Sequence, residues 1–429
     1  MTGRTVIIVS PYFPPSTLAG VHRARHLAKH LPRHGWEPIV LCVNEAFHEQ
    51  RLDPGLAALV PADREIAKVA ALPIGLTRCF GLGEISLRAW RPLRRRLFEL
   101  LATRRVDSVL ITGSPYYPML LAPEIKRRFK VPVLLDFQDP WVSAWGSEQR
   151  PWSKAGLSHK LAAWLEPRAV RAADFITSVS ETQNLEMAKR YPFLDREQIA
   201  AIPIGGDPED FDYLRNVAPA GALGHLASGK INLSYVGTFM PRTGEPMRAL
   251  LRAFRHLKEQ APDLAARIRL NFIGTSNQPN DKTTPQVKPL AEQEGIAEAV
   301  YEVPERLPYL EALSILAKSD GILLIGSDEP HYTASKIYPA LMSGTPYLSL
   351  FHDKSSSHAI LSAAGGGVAL SFDGAETLAN LQARLADGLT RLAIDAESLG
   401  RPNSDSYRSV TAEQVAYQYS ELLTQVQKK

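Results

Sequence analysis

The sequence predicts an α/β protein made of two doubly wound, parallel-sheet domains facing each other across a cleft. Three observations lead there. Short apolar runs alternate with helical patterns along the chain, and continuous apolar strands between helices signal parallel sheets covered on both faces. The pattern occurs twice, with an Ala- and Gly-rich stretch, NVAPAGALGHLASG (216–229), between the two sets. The chain has 429 residues, more than one typical core organises.

The first set opens with TVIIVS (5–10), a buried strand, followed by a helical stretch, GVHRARHLAKHLPRHG (20–35), with Val21, Leu27 and Leu31 on one side. EPIVLCV, VDSVLITG, VPVLLDFQD and ADFITSVS continue as strands separated by helices. The second set is KINLSYVGTF, RIRLNFIG, AVYEVPE, GILLIGS, PYLSLF and GVALSF, again with helices between. The expected domains are 1–204 and 205–408, with a last helix in 409–429 packing back on the first domain.

Composition is that of an ordinary globular protein: 45% hydrophobic and 22% charged residues argue against long disorder. Cys42 and Cys79 have no Cys or His at metal-ligand spacing, which suits a reducing compartment. The opening MTGRTVIIVSPYFPP lacks a long apolar leader core and reads as a first strand. No window reaches the roughly 18 uninterrupted apolar residues of a membrane span. The expected location is the cytoplasm, with a peripheral place on the inner face of the plasma membrane. The net charge of +4 is unevenly spread. Arg88 and Arg105 bound a basic segment (88–105) in which Trp90, Leu93, Leu97, Phe98, Leu100 and Leu101 are interleaved with arginines. It reads either as a basic amphipathic helix for anionic lipid or as a surface helix with a solvated arginine face. The aromatics form no stacking platform, and nucleic acid is not an expected partner.

Ligands of doubly wound folds bind beyond the carboxyl ends of the strands, so the strand-end loops carry the candidate residues. After the first strand, Gly20 opens a helix whose start favours an anion, with His22 in its first turn; the same loop also reads as a plain connection. The loop ITGSPYYP carries Ser114. LLDFQDPW places Asp136 and Asp139 at a strand end, where a carboxylate can orient a hydroxyl or take its proton, or serve as a cap and a structural hydrogen bond. Asp207, Glu209, Asp210 and Asp212 crowd the exit from the first domain and read as an acidic helix start in preference to a cation site. YVGTFMPRTGEPMRALL offers Gly237, Thr238 and the phosphate-matching fork of Arg242, and FIGTSNQPND repeats the strand-glycine pattern at Gly274. In SDEPHYTASKIYPALMSGTP, Ser335 is the expected N-cap. That leaves the amides of Lys336, Ile337 and Tyr338 without helical partners and adds the Lys336 ammonium to form a diphosphate cradle. Pro339, tolerated only near a helix start, sets that register. The near-match FGLGEISLR follows no strand and is not a dinucleotide fingerprint.

Taken in order, PYFPPSTLAGVHRARHLAKHLPRHG, LLDFQDPW, SVSE, IPIGGDPEDF, YVGTF and ASKIYPALMSGTP resemble the GT-B glycosyltransferases of the large retaining family four, Ser-Lys sub-branch, over nearly the whole chain. The resemblance implies transfer of a sugar from a nucleotide-sugar donor to a glycan, lipid-linked or polysaccharide acceptor, with retention. It implies no cofactor beyond the donor as substrate and no bound metal. It makes Asp139, Arg242 and Lys336 the expected catalytic set. Gly20, Gly237, Thr238, Gly274, Glu329, His331, Ser335 and Ile337 are expected along the donor, and Ser114, Asp136 and His22 on the acceptor side. The sequence departs from the family pattern in places. Glu245, Pro246 and Met247 stand where a companion lysine is usual, and Gln138 stands where some members have His or Arg. The family's paired acids align on His331 and Pro339, and Glu329 is the acid left nearby for a ribose. Two other readings fit the same architecture: a catalytically inactive sugar-nucleotide-binding relative, and a sugar-nucleotide epimerase using His22 and His331.

Overall fold

A computed structural model of the chain describes residues 3–78, 83–217, 219, 221–240, 242–276, 278, 282–329 and 334–428. Two compact units emerge, Met1–Gly205 with Ala412–Lys429, and Gly206–Thr411. The first holds a seven-stranded sheet in the order β3-β2-β1-β4-β5-β6-β7. Its strands are β1 (Arg4–Val9), β2 (Trp36–Val43), β3 (Glu65–Val69), β4 (Ser108–Gly113), β5 (Val133–Phe137), β6 (Phe175–Ser178) and β7 (Ile199–Ala201). The second holds a six-stranded sheet in the order β10-β9-β8-β11-β12-β13. It comprises β8 (Ile231–Val236), β9 (Ile268–Ile273), β10 (Val300–Val303), β11 (Gly321–Ile325), β12 (Tyr347–His352) and β13 (Gly367–Phe372). All pairings are parallel. The strand order reverses between β1 and β4 in one sheet and between β8 and β11 in the other, which opens a crevice at the carboxyl ends of those strands.

The helices that matter below are α1 (Val21–His30), α2 (Trp90–Thr103), α3 (Ala144–Ser147), α4 (Lys154–Val170), α5 (Pro208–Asn216), α6 (Gly244–Gln260), α7 (Ile337–Ser343), α8 (Gln382–Ile394) and α9 (Ala412–Gln425). The period of two along β1 divides its side chains between two cores. Ile7 and Val9 pack with Leu93, Leu97 and Leu100 of α2. Val6 and Ile8 pack with Leu27 of α1 and with Val415, Tyr419 and Leu423 of α9. In the second unit the apolar faces of α6 and α8 close one side of the sheet. Cys42 is buried in the first unit, where desolvation pushes its thiol up to about 12 and leaves it unreactive; Cys79 lies outside the described residues.

The basic segment 88–105 is corrected by this packing. Its helix, α2, forms, but Leu93, Leu97, Leu100 and Leu101 are core residues. The arginines left outside are partly paired: Arg94 with Glu124, Arg96 with Glu99 and Arg104 with Glu65. Lipid insertion needs an apolar face turned to solvent, and this helix has none to offer. Among the described residues no helix is long and apolar enough to cross a membrane.

Asp136, expected on the acceptor side, is also reassigned. It is fully buried and pairs with the equally buried Arg23 at 3.2 Å. Its other oxygen accepts from the hydroxyls of Thr177 (2.9 Å) and Tyr419 (2.8 Å). The Arg23 guanidinium also donates to the carbonyls of Ile202 (2.5 Å) and Pro203 (2.7 Å), where the chain leaves the sheet. Both oxygens of this carboxylate are engaged inside the fold and neither is exposed, so it does not reach a ligand. The second unit's two ends lie side by side, the Gly206 amide donating to the Val410 carbonyl at 3.1 Å.

Removing one partner of a buried ion pair strands the other charge. Asp136→Ala is therefore expected to destabilise the first unit by about 3–5 kcal/mol, measured by urea unfolding.

Candidate functional site

In the second unit the crevice between β8 and β11 is built around Lys336. Gly237 ends β8 with φ +142°, a conformation side-chain-bearing residues rarely adopt. A Cβ there would sit 3.2 Å from Cδ of Lys336, so the glycine also admits the lysine stem. The Lys336 ammonium lies over the Tyr235 ring, 4.1 Å from its centroid, and donates to the Tyr235 hydroxyl. That hydroxyl donates in turn to the Thr238 carbonyl at 2.9 Å. No carboxylate among the described residues forms an ion pair with Lys336, and desolvation pushes its pKa down to about 7. A half-buried, partly desolvated cation of this kind has the chemistry to attract an anion.

The helix behind it starts later than expected. α7 begins at Ile337 with Lys336 in the cap position and no side-chain cap, and Ser335 is exposed. The Ile337 amide donates to the Ala334 carbonyl (3.1 Å) and the Tyr338 amide to the Ser335 carbonyl (3.3 Å). Two of the three amides expected to face a diphosphate are thus spent in a preceding turn. Pro339, third in the helix, has no amide to close it from below, and the chain tightens ahead of it instead. What remains of the cradle is Lys336, its amide and its side chain.

Arg242 is not an open fork either. Its guanidinium contacts Asp328 at 2.5 Å and Glu329 at 3.8 Å, and its carbonyl accepts from the Asp328 amide at 3.1 Å. All three side chains are about half exposed, so these pairs are weak and a ligand phosphate can compete for the arginine. Glu329 is therefore tied to Arg242 in this arrangement. Gly274 ends β9 with φ +72° and hands its amide to the Val303 carbonyl. His331 lies outside the described residues. In the acidic stretch Asp207 caps α5, Asp210 accepts from the Tyr309 hydroxyl at 3.0 Å and Asp212 pairs with Arg215. A cavity of about 380 Å³ lies beyond the ends of β12 and β13, lined by residues such as His352, Phe372 and Leu378; it includes Asp328 but neither Lys336 nor Gly237.

In the first unit the loops after β1, β4 and β5 converge. A Cβ on Gly20 would lie 3.4 Å from the Ser114 carbonyl oxygen and 3.5 Å from Oε1 of Gln138. The Gln138 amide donates to the Gly20 carbonyl at 3.3 Å, while its own buried oxygen has no hydrogen-bond partner among the described residues. His22 is the second residue of α1, with Nδ1 3.4 Å from the Arg25 guanidinium. Asp139 points outward. The surrounding loops desolvate its carboxyl and raise its pKa, a shift limited by its exposure. Its carbonyl accepts from the Tyr116 hydroxyl at 2.9 Å, and Tyr116 stacks on Trp141.

Residues 19–205 match a family model described as the glycosyl transferase 4-like domain. Both units together have the GT-B architecture, as comparison with solved structures shows. The glycosyltransferase from Rickettsia africae is 15% identical, with a TM-score of 0.63 over 100% of each chain. Anabaena HepE in complex with UDP and glucose is 14% identical, with a TM-score of 0.61 over 98% of this chain and 100% of that one. WaaG, a glycosyltransferase involved in lipopolysaccharide biosynthesis, is 14% identical, with a TM-score of 0.60 over 98% and 99%. At these identities the likeness is one of fold. No curated protein matches the chain in sequence.

Within the first unit, Gln138 is the residue that sequence reasoning noted without counting it as part of the site. Its place one residue before Asp139 was visible; the unpaired buried oxygen was not. In the other unit, Tyr235 was missed because a tyrosine inside an apolar strand looks like core until its hydroxyl is located. Gly237→Ala is expected to cost about 1–3 kcal/mol of stability from backbone strain alone, measured by urea unfolding. Asp328→Asn is expected to leave stability within about 0.5 kcal/mol, because the pair it breaks with Arg242 is half exposed, read by thermal unfolding.

Proposed function

We propose that the protein is a retaining glycosyltransferase that moves a sugar from a nucleotide-sugar donor to a hydroxyl of a glycan, lipid-linked or polysaccharide acceptor. The observation that carries this reading is Lys336: a desolvated ammonium with no carboxylate partner among the described residues, at the topological switch point of the second sheet. The glycosyl transferase 4-like domain supports sugar transfer, and the UDP or UDP-glucose bound to HepE supports a nucleotide-sugar donor.

In this reading Lys336 meets the negative charge that grows on the leaving diphosphate, and Arg242 turns from Asp328 to share it. Gly237 lets the phosphates approach the backbone. On the first unit Asp139 orients the acceptor hydroxyl, and the Gln138 oxygen takes a hydrogen bond from a sugar hydroxyl. These cations do the work a divalent metal performs elsewhere, and turnover is expected to withstand EDTA. The cytoplasm, where nucleotide sugars are made, is the proposed location. Pro339 favours a second reading, a protein that binds a nucleotide sugar without turning it over, because the family places an acid at that position. Nucleoside diphosphate binding without product formation would support it.

Donor binding should be linked to protonation. Free Lys336 titrates near pH 7, and a bound diphosphate favours the charged form and raises that value. Binding then takes up a proton, and affinity for UDP falls as pH rises above 7, by up to about tenfold per unit. Lys336→Met should weaken binding and flatten this dependence, and Lys336→Ala should reduce turnover at least ~100-fold. Calorimetry across pH measures the first two, and a transfer assay with NMR of the product anomer measures rate and retention. An unchanged rate in Lys336→Ala would remove the lysine from the mechanism.

A further inference from the structure

One face of the first unit is apolar, basic and turned to solvent. Trp152 is 84% exposed, Trp145 66%, Trp164 61%, Leu157 49% and Leu161 43%. Leu157, Leu161, Trp164 and Arg168 fall at helical steps of four, three and four residues, so they form one stripe along α4. Half of the chain's six tryptophans are gathered here, where burying none of them would otherwise be a cost without return.

We propose that α3 and α4 form the surface by which the protein sits on an anionic lipid bilayer. In the docked state the indoles of Trp145, Trp152 and Trp164 lie at the headgroup level, and Lys154, Lys160 and Arg168 face the lipid phosphates. Two features fit lipid better than a protein partner. Two of the three tryptophans pair with a cation: the Lys160 ammonium lies 4.7 Å from the Trp152 centroid and the Arg168 guanidinium 3.6 Å from that of Trp164. That is the amphipathic chemistry of a membrane interface, an apolar body under a polar tip. Charge is one-sided. Between residues 143 and 171 the only acids are Glu148 and Glu166. Glu166 is fully buried, held by the Val142 amide, Arg190 and the Tyr191 hydroxyl. A second copy of the same basic face would be repelled, whereas an anionic bilayer attracts it.

The face is also preformed. Ser153 caps α4 by accepting from the Gly156 amide at 3.0 Å. A Cβ on Gly156 would lie 2.1 Å from the Arg150 carbonyl oxygen, and one on Gly146 would lie 2.5 Å from the His159 ring. Both glycines allow close approaches that fix the turn before α4 and seat α3 against it. The tryptophans are therefore presented by an ordered scaffold. The surface is independent of the sugar chemistry proposed above.

The test uses the full chain with vesicles of phosphatidylcholine alone and of phosphatidylcholine mixed with phosphatidylglycerol. Flotation should show binding to the mixed vesicles, weakened by salt, and little to the neutral ones. On binding, tryptophan emission should shift to the blue and be quenched by bromine-labelled lipids. Trp152→Ser/Trp164→Ser should bind at least about tenfold more weakly, and Lys154→Glu/Lys160→Glu at least about tenfold more weakly. All four substituted side chains are exposed, so both variants should keep the parent's melting curve; the quenching measurement needs no variant at all. The proposal is overturned if the mixed vesicles do not bind the unmodified chain, if bromine-labelled lipids leave its emission unchanged, or if folded variants bind equally well. It is also overturned if sedimentation shows the face closing a dimer that the tryptophan variant abolishes.

Discussion

The buried pair of Arg23 and Asp136 is the constraint on which the first unit depends. An arginine and an aspartate without solvent can persist only when nearly every polar atom is answered, and here α1, β5, β6, α9 and the exit at Ile202 and Pro203 all supply partners. The pair therefore sets the angle at which α1 leaves β1, and with it the position of Gly20 against Ser114 and Gln138. The outward turn of Asp139 follows from the same arrangement, since β5 ends with Asp136 directed into the network and the next exposed carboxylate three residues on.

The second unit relies on the opposite device. Among the described residues its central cation has no carboxylate partner and rests on the face and hydroxyl of Tyr235. An ion pair would have made Lys336 comfortable and unresponsive. In the proposed function, an anionic ligand relieves the desolvation of Lys336, and part of the cost of holding the lysine there returns as affinity. Arg242 behaves differently: exposed carboxylates hold it in reserve at small cost.

Much of the fold was legible because doubly buried strands are continuous apolar runs. The strands that escaped notice, β3 and β7, are the edges of the first sheet; one alternates exposed Glu65 and Lys68 with buried Ala67 and Val69, the other is three residues long. Periodicity located α2 correctly but could not say what covers its leucines, and so a core helix resembled a lipid-facing one. Asp136 and Asp139 are three residues apart with the same chemistry, and only tertiary partners far away in sequence, Arg23 and Tyr419, separate their roles. The same holds for Lys336 with Tyr235 and for Arg242 with Asp328. The exposed tryptophans of α3 and α4 were in plain view, but apolar residues in a helix are read as core by default, and exposure is a property of the assembled unit.

The route of the chain through the first unit bears on how the protein is made. Residues up to Gly205 leave the ribosome first, yet the hydroxyl that completes the Asp136 network belongs to Tyr419, and Val415 and Leu423 close the same side of the sheet. The second unit, with its ends already hydrogen-bonded side by side, can finish folding while the first still waits for α9. During translation the older half of the chain is thus the later one to mature, with a charged pocket and an apolar sheet face uncovered in the interval. A fragment cut at the boundary near Gly205 would be caught permanently in that immature state.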